Sequence, residues 1–234
     1  MISRSVICFS LLMLTSPAPA TRTGIDVAGS VQLVGAPNKP DLSGVVVWLD
    51  PLDPHDAVLP RHQRMLQKNK TFIPHVLPVS LGSTVEFPNL DPIFHNAFSN
   101  FNGQVFDLAL YPPGKSKTVT FRRPGVVRIF CNIHPAMSAV IVVVNTPYYT
   151  VSDRSGHFSL PDVAPGRYRQ NVFFERATPE TLASLSKDFE LTANNAPEVL
   201  PTIRISETGY LPEPHTDKHG HPYPPASESP YTVH

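Results

Sequence analysis

The stretch GVVRIFCNIHPAMSAVIVVVN, residues 125–145, decides the fold class of this chain. Apolar residues alternate along its first part up to Cys131, and residues 139–144 form a continuous apolar run. The stretch therefore predicts two neighbouring strands, of which the second is fully buried. The tight loop between these strands carries His134 and Met137. A thiolate, an imidazole and a thioether in one short loop are soft ligands, which suit copper that cycles between two oxidation states.

One further nitrogen ligand would complete a trigonal His2Cys site with a weak axial methionine, the arrangement of blue-copper centres. His95 is the best candidate for this position. The predicted metal ligands are therefore His95, Cys131, His134 and Met137. Taken alone, Met137 could fill a gap in the core and His95 could be an ordinary turn residue. Together, the four residues favour a single bound copper ion.

The N-terminus has the pattern of a secretory signal peptide over residues 1–20. It contains Arg4, a short apolar run over residues 6–14 and an Ala-Pro-Ala cleavage site. Cleavage after Ala20 would remove Cys8 and leave Cys131 as the single cysteine. Exported proteins usually pair their cysteines in disulfides, so a lone cysteine is either an inert core thiol or a ligand. The neighbouring histidine and methionine favour a metal ligand over an inert thiol. Because of the signal peptide, we expect a periplasmic protein.

Composition excludes several other classes of protein. The chain has 19 basic and 19 acidic residues, and this neutrality argues against nucleic acid and against electrostatic membrane binding as partners. No apolar run approaches the length that a membrane span requires. We therefore expect neither a nucleic-acid partner nor a membrane span.

The pattern along the chain predicts an all-β protein, because many short strands alternate with Gly- and Pro-rich turns and almost no helix. Residues 51–70 lack periodicity and are predicted to be a linker with one helical turn over residues 63–67. A short helix is predicted with Thr178 as its cap and Pro179 at its first position, and it is expected to run to about residue 187. Residues 207–234 are rich in proline and histidine and are predicted to be a disordered tail. Strands are predicted over residues 27–34, 45–49, 76–81, 84–87, 95–99, 117–121, 149–152, 157–160, 168–174, 188–191 and 200–205.

Two motifs resemble the cupredoxins, especially plastocyanin and amicyanin. Residues 85–100, VEFPNLDPIFHNAFSN, precede Phe106-Asp107, and the C-x2-H-x2-M loop of residues 131–137 follows. The resemblance covers about residues 72–145. Its overall pattern is similar to exported plastocyanin-like proteins that are labelled methylamine-utilisation proteins. This resemblance implies a Greek-key β-sandwich that binds one type 1 copper ion.

The resemblance also implies roles around the metal for Asn96 and Ile133. In those families an asparagine at the position of Asn96 ties the first-histidine segment to the cysteine loop by hydrogen bonds. The position of Ile133 is proline in plastocyanin and amicyanin, and proline has no N–H. Ile133 therefore leaves a second backbone N–H that can point at the Cys131 thiolate.

The flanks of the copper region resemble a carboxypeptidase regulatory-like, or transthyretin-like, β-sandwich. The resemblance rests on residues 29–31 and 45–49 before the copper region and on residues 153–160 and 165–168 after it. We therefore expect a cupredoxin domain over residues 68–145, inserted in or flanked by one sandwich built from residues 24–60 and 146–206. Insertion between closely spaced strand ends is structurally easy.

The predicted function is the transfer of single electrons between exported redox partners, such as a c-type cytochrome or a dehydrogenase. The chain is not predicted to be an enzyme. A copper oxidase or nitrite reductase would place a histidine beside the cysteine to bridge to another copper, whereas Phe130 and Asn132 stand there. The alternatives are copper delivery or storage assisted by the His-rich tail, and a β-rich interaction module with a decayed site. The intact ligand set weighs against the decayed module.

Overall fold

The computed structural model describes residues 24–35, 40–55, 57–100, 103–193, 197–212 and 215–223. The predicted signal peptide lies outside these residues. Within them the chain forms 18 strands and one helix, α1 (Pro179–Ser184), which Thr178 caps as predicted. In chain order the strands are β1 (Ile25–Val34), β2 (Val46–Pro51), β3 (His62–Arg64), β4 (Leu66–Lys68), β5 (Thr71–Ile73), β6 (Val76–Ser80), β7 (Thr84–Pro88), β8 (Phe98–Ser99), β9 (Phe106–Asp107), β10 (Ser116–Thr120), β11 (Gly125–Cys131), β12 (His134–Val144), β13 (Tyr149–Val151), β14 (His157–Val163), β15 (Gly166–Phe173), β16 (Lys187–Leu191), β17 (Glu198–Val199) and β18 (Ile203–Ser206).

The prediction of an all-β fold is confirmed. The central part of the chain, from β3 to β12, forms a five-stranded sheet in the order β6-β12-β11-β8-β9, a three-stranded sheet in the order β10-β7-β3, and the β4–β5 hairpin. The two larger sheets enclose one apolar core. Its buried members include Val79, Val85, Phe87, Val119, Val127, Ile129, Ile141 and Val143. We call this part the central sandwich.

The first two strands pair with strands that follow the central sandwich in sequence. Strand β1 pairs with β14, β17 and β18, and β2 pairs with β13 and β15. The two resulting sheets share a second apolar core, which includes Val27, Leu49, Phe158, Val172 and Ile205. We call this part the outer sandwich. Its pairing supports our proposal that residues 24–60 and 146–206 form one regulatory-like unit into which the central sandwich is inserted.

Strand β12 explains why residues 139–144 are apolar without interruption. Ala139, Ile141 and Val143 face the core of the central sandwich. The alternate residues of the strand, Val140 among them, pack in a third cluster with Val46 and Phe173 of the outer sandwich. Because side chains alternate between the two faces of a strand, a strand covered on both faces must be apolar at every position. Burial of each valine contributes roughly 1.5–3 kcal/mol relative to an exposed side chain.

Two local predictions about secondary structure are wrong. Residues 51–70 are not a linker with a helical turn, because they contain β3 and β4, and Met65 and Gln67 are buried. Strand β3 pairs in parallel with β7, and this long-range pairing outweighs a weak local pattern. The strand predicted over residues 95–99 is limited to β8, while His95 forms an isolated bridge to Tyr111.

A partly exposed ion pair joins the two sandwiches. His75 Nε2 lies 2.6 Å from Glu175 Oε2, and His75 Nδ1 lies 3.1 Å from the carbonyl oxygen of Ser138. The hydrogen bond that His75 donates to Glu175 raises the pKa of His75 above its ordinary 6.5. The same bond lowers the pKa of Glu175 below its ordinary 4.5. The contribution of His75 to the stability of the fold is fully present below pH 6.5 and is lost as the pH rises through the raised pKa. The contribution of Glu175 to the stability of the fold is fully present above pH 4.5 and is lost as the pH falls through the lowered pKa.

We therefore expect Glu175→Gln to reduce the free energy of unfolding more at about pH 5.5 than at about pH 8. Chemical denaturation of variant and wild type at both pH values measures this difference. Glu190→Gln, which removes an exposed carboxylate on β16, is the control and should show no such pH dependence. Equal destabilisation by Glu175→Gln at the two pH values would contradict a charged pair.

Candidate metal centre

His95 reaches the site from the loop between β7 and β8 and is fully buried. Its backbone exchanges hydrogen bonds with Tyr111, at 3.2 and 2.9 Å. Its Nε2 lies 2.8 Å from Asp91 Oδ2, while its Nδ1 lies 3.7 Å from Cys131 Sγ. A carboxylate that accepts a hydrogen bond from the Nε2–H leaves Nδ1 unprotonated and free to bind a metal ion. This arrangement is found around metal-binding histidines.

Asp91 is itself held in place by the hairpin turn between β4 and β5. The backbone N–H groups of Asn69 and Lys70 donate to its two carboxylate oxygens, at 2.6 and 2.8 Å. Both turn residues have a φ of 55°, which turns two consecutive N–H groups toward the same carboxylate. Burial raises the pKa of Asp91, but these hydrogen bonds and the one from His95 outweigh it and hold that pKa below its ordinary 3.8. Asp91 is therefore charged and fixed beside the Nε2 atom of His95.

Cys131 and His134 face each other where β11 ends and β12 begins. They are register partners across an irregularity in the strand pair. Cys131 Sγ lies 3.5 Å from His134 Nδ1, and the rings of His95 and His134 have centroids 4.7 Å apart. The donor atoms of His95, Cys131 and His134 all lie within 4.8 Å of one another.

These separations fit a metal ion at the centre of the three donors. Nitrogen and sulfur ligands bind Zn²⁺, an ion of similar size, at about 2.0 and 2.3 Å, and trigonal bonds of that length separate sulfur from nitrogen by about 3.7 Å. The two S–N distances in the site are 3.7 and 3.5 Å. Two imidazoles and one thiolate are the equatorial ligands of a type 1 copper ion, and the cluster can bind one in this way.

Met137 lies on β12 and is fully buried in the same apolar core as Cys131. The alternation of β12 places it on the face that carries Ala139 and Ile141. Its role as the axial ligand remains a prediction.

Burial sets the protonation of the donor set. It raises the pKa of the Cys131 thiol, although backbone N–H groups of Asn96, Ile133 and His134 act in the opposite direction. It lowers the pKa of His95, and it lowers the pKa of His134 to about 4. Both imidazoles are therefore neutral at neutral pH, and metal uptake must release the proton of the thiol.

Asn96 connects the two segments that carry the histidines. Its side-chain oxygen accepts a hydrogen bond from the Asn132 N–H at 2.7 Å, and its amide nitrogen lies 3.4 Å from Asp107 Oδ1. This contact links the His95 segment to the cysteine loop, which is the role that we predict for Asn96.

The backbone N–H of Ile133 is among the groups that lower the pKa of the Cys131 thiol, so it can act as a hydrogen-bond donor to the sulfur. A donor at the sulfur withdraws charge from it and favours the reduced metal. We expect Ile133→Pro to lower the potential while the blue band stays largely in place, because proline removes the N–H.

Ile133→Ala is the matched control, since it removes the same buried side chain and keeps the N–H. Voltammetry of the copper-loaded variants measures the shift. A potential that is unchanged or higher in Ile133→Pro than in Ile133→Ala would show that the N–H has no such effect.

Sequence reasoning missed two contributors to this site. Asp91 could have been found, because a ligating histidine usually donates its second N–H to a carboxylate, and Asp91 lies four residues before His95. The second contributor is the segment of residues 215–223, which contacts the cysteine loop where the sequence predicts disorder. Its residues are polar and aromatic without a period, so no pattern could have indicated that they dock.

Neither a protein-family model nor a curated protein matches the chain. Among solved structures, the Cu-containing nitrite reductase (NirK) from Thermus scotoductus SA-01 is 28% identical over 42% of this chain, with a TM-score of 0.36. The matched region spans 26% of that reductase. A purple cupredoxin from Nitrosopumilus maritimus is 24% identical, with 35% of this chain and 99% of that chain covered and a TM-score of 0.32.

A copper(I) form of a mutant amicyanin is 19% identical, with 36% of this chain and 82% of that chain covered and a TM-score of 0.34. All three similarities are partial. The assignment of a copper site therefore rests on the donor geometry of this chain.

Proposed function

We propose that this chain is a blue-copper protein of the cupredoxin type, which carries single electrons between exported redox partners. The observation that supports the proposal is a set of two neutral imidazoles and one cysteine sulfur, with donor atoms within 4.8 Å of one another. His95 and Cys131 are buried and His134 is half-buried. Copper, when bound, would supply one-electron redox chemistry at this position.

The contribution of the protein is to hold the donors still. Cys131 and His134 lie at the paired ends of β11 and β12, and a backbone bridge to Tyr111 fixes His95. Asp91 fixes the orientation of the His95 ring. A donor set that is fixed on rigid elements favours electron transfer, because little has to move when the charge changes.

The exposed edge of the site is apolar and suits brief docking. His134 is half-buried, whereas Pro135 and Ala136 are exposed, and Phe94 is 52% exposed. We propose that these residues form a rim against which a c-type cytochrome or a dehydrogenase of the periplasm docks. No helix within the described residues is long and apolar enough to cross a membrane.

A carrier is favoured over a copper enzyme by the residues beside the ligand cysteine. Phe130 and Asn132 flank Cys131, and neither side chain is an imidazole that could bridge to a second copper ion. The proposal therefore assigns no bond chemistry to this site.

Copper delivery or storage is the second candidate function. It is favoured by the position of the tail histidine His215, whose Nε2 lies 2.6 Å from the carbonyl oxygen of Pro135 in the ligand loop. A histidine there could help to transfer copper to or from the site.

Voltammetry and copper exchange distinguish the two functions. The carrier predicts a reversible one-electron wave, rapid electron exchange with a c-type cytochrome, and copper that stays bound in the presence of an apo-protein acceptor. Slow electron exchange together with ready loss of copper to the acceptor would contradict the carrier and favour delivery.

A further inference from the structure

The chain after β18 returns to the central sandwich and lies against the ligand loop. The ring of His215 stacks on Phe130, with centroids 4.2 Å apart and planes at 21°. The hydroxyl of Tyr223 donates to the carbonyl oxygen of Cys131 at 3.1 Å, and its ring packs edge-on against His215. With the contact of His215 to Pro135, these residues hold the loop on both sides of His134.

Lys218 closes a ring of polar contacts around the same loop. Its Nζ lies 2.8 Å from Asp107 Oδ2, and its backbone N–H donates to Asn132 Oδ1 at 3.0 Å. Asp107 and Asn132 are in turn joined through the side chain of Asn96. The ring therefore connects the tail, the His95 segment and the Cys131 loop.

The Lys218–Asp107 ion pair is only partly exposed to water. The side chains of the two residues are 30% and 36% exposed. A partly buried ion pair is weakened less by salt than an exposed one. The ring thus supplies a polar contact between the tail and the loop.

We propose that residues 215–223 form a C-terminal strap that holds the Cys131–His134 loop in its metal-binding conformation and so slows the loss of bound metal. The second part of this statement rests on the proposed copper function, whereas the restraint of the loop does not. Lys218 and Tyr223 act as positioning residues, because they contact Asp107, Asn132 and the Cys131 carbonyl and none of the predicted ligand atoms.

Two altered chains test the strap. The first ends at Pro212, and the second is the full chain with Lys218→Met and Tyr223→Phe, which removes the ion pair and the hydroxyl. Lys187→Met is the matched control, because Lys187 is an exposed lysine on β16 in the outer sandwich. The melting temperature shows whether each altered chain is folded. If the shortened chain does not fold, the double variant alone decides whether the strap restrains the loop.

The first readout is hydrogen exchange of the backbone amides of residues 132–137, apart from Pro135, in metal-free protein. Both altered chains should exchange these amides faster than wild type, while the amides of β11 stay protected. The second readout is the rate of copper loss to a chelator, which should rise by about tenfold or more, as when outer partners of metal ligands are removed. The reduction potential of the bound copper should shift as well. A strap that only stabilised the fold would leave this potential unchanged.

The outcomes separate the two claims. Unchanged loop exchange in both altered chains would overturn the strap. Faster loop exchange with unchanged copper loss and potential would overturn its role in holding the metal. Failure of wild type to bind copper would defeat the proposed function instead, and the exchange of the metal-free loop would still decide whether the strap exists.

Discussion

Replacement of Cys131 by serine is expected to abolish the intense blue absorption of the copper-loaded protein. That band requires a thiolate bonded to the metal, and a serine oxygen is a hard and poorly acidic ligand in place of a soft one. Cys131 is fully buried at the end of β11. The Nδ1 atoms of His95 and His134 lie 3.7 and 3.5 Å from its sulfur. No other group among the described residues offers a thiolate at this position.

Serine is nearly the same size as cysteine, so the metal-free fold should survive the substitution. Circular dichroism and a melting curve of the metal-free variant provide this control. Copper titration followed by absorption spectroscopy gives the result, and an unchanged band in a folded Cys131→Ser protein would reject Cys131 as the ligand.

Replacement of Asp91 by asparagine should give the second large effect. The carboxylate of Asp91 is 6% exposed, accepts the Nε2 proton of His95 and receives N–H groups of Asn69 and Lys70. Asparagine has nearly the same shape, but it lacks the negative charge and one acceptor oxygen. Copper affinity should fall by about 10–100-fold, which is typical for the loss of such an outer partner.

The reduction potential of Asp91→Asn should rise, because the oxidised copper ion carries more charge and loses a nearby anion. Asp188→Asn is the control, since Asp188 is an exposed carboxylate that pairs with Arg169 in the outer sandwich. Chelator competition measures the copper affinity, and voltammetry measures the reduction potential. An affinity and a potential equal to those of the control would show that Asp91 neither orients His95 nor stabilises the oxidised ion.

The sequence was sufficient for the ligand loop because its information is local. Alternation places Val127, Ile129 and Cys131 on one face of β11, and His134 and Met137 follow within a few residues. The apolar run of β12 indicated burial on both faces, and the structure supplies the reason, because the outer sandwich covers the second face. Period and spacing suffice where neighbours in sequence are also neighbours in space.

Two of the missed features, β3 and the strap, depend on contacts between residues far apart in the chain. Strand β3 exists because β7 pairs with it, and its own residues, His62, Gln63 and Arg64, carry no apolar pattern. The strap contacts Cys131 and Asp107 through groups that resemble those of a disordered tail. Polar contacts of this kind add no periodicity to a sequence, so composition alone predicted disorder.

The most direct test of a type 1 copper site is a titration of metal-free protein with Cu²⁺, followed by absorption and electron paramagnetic resonance. The proposal predicts saturation at one copper per chain, an intense thiolate-to-copper band, and the small copper hyperfine splitting that accompanies a covalent copper–sulfur bond. Saturation without that band, or with the large splitting of a site that has only nitrogen and oxygen ligands, would contradict the account.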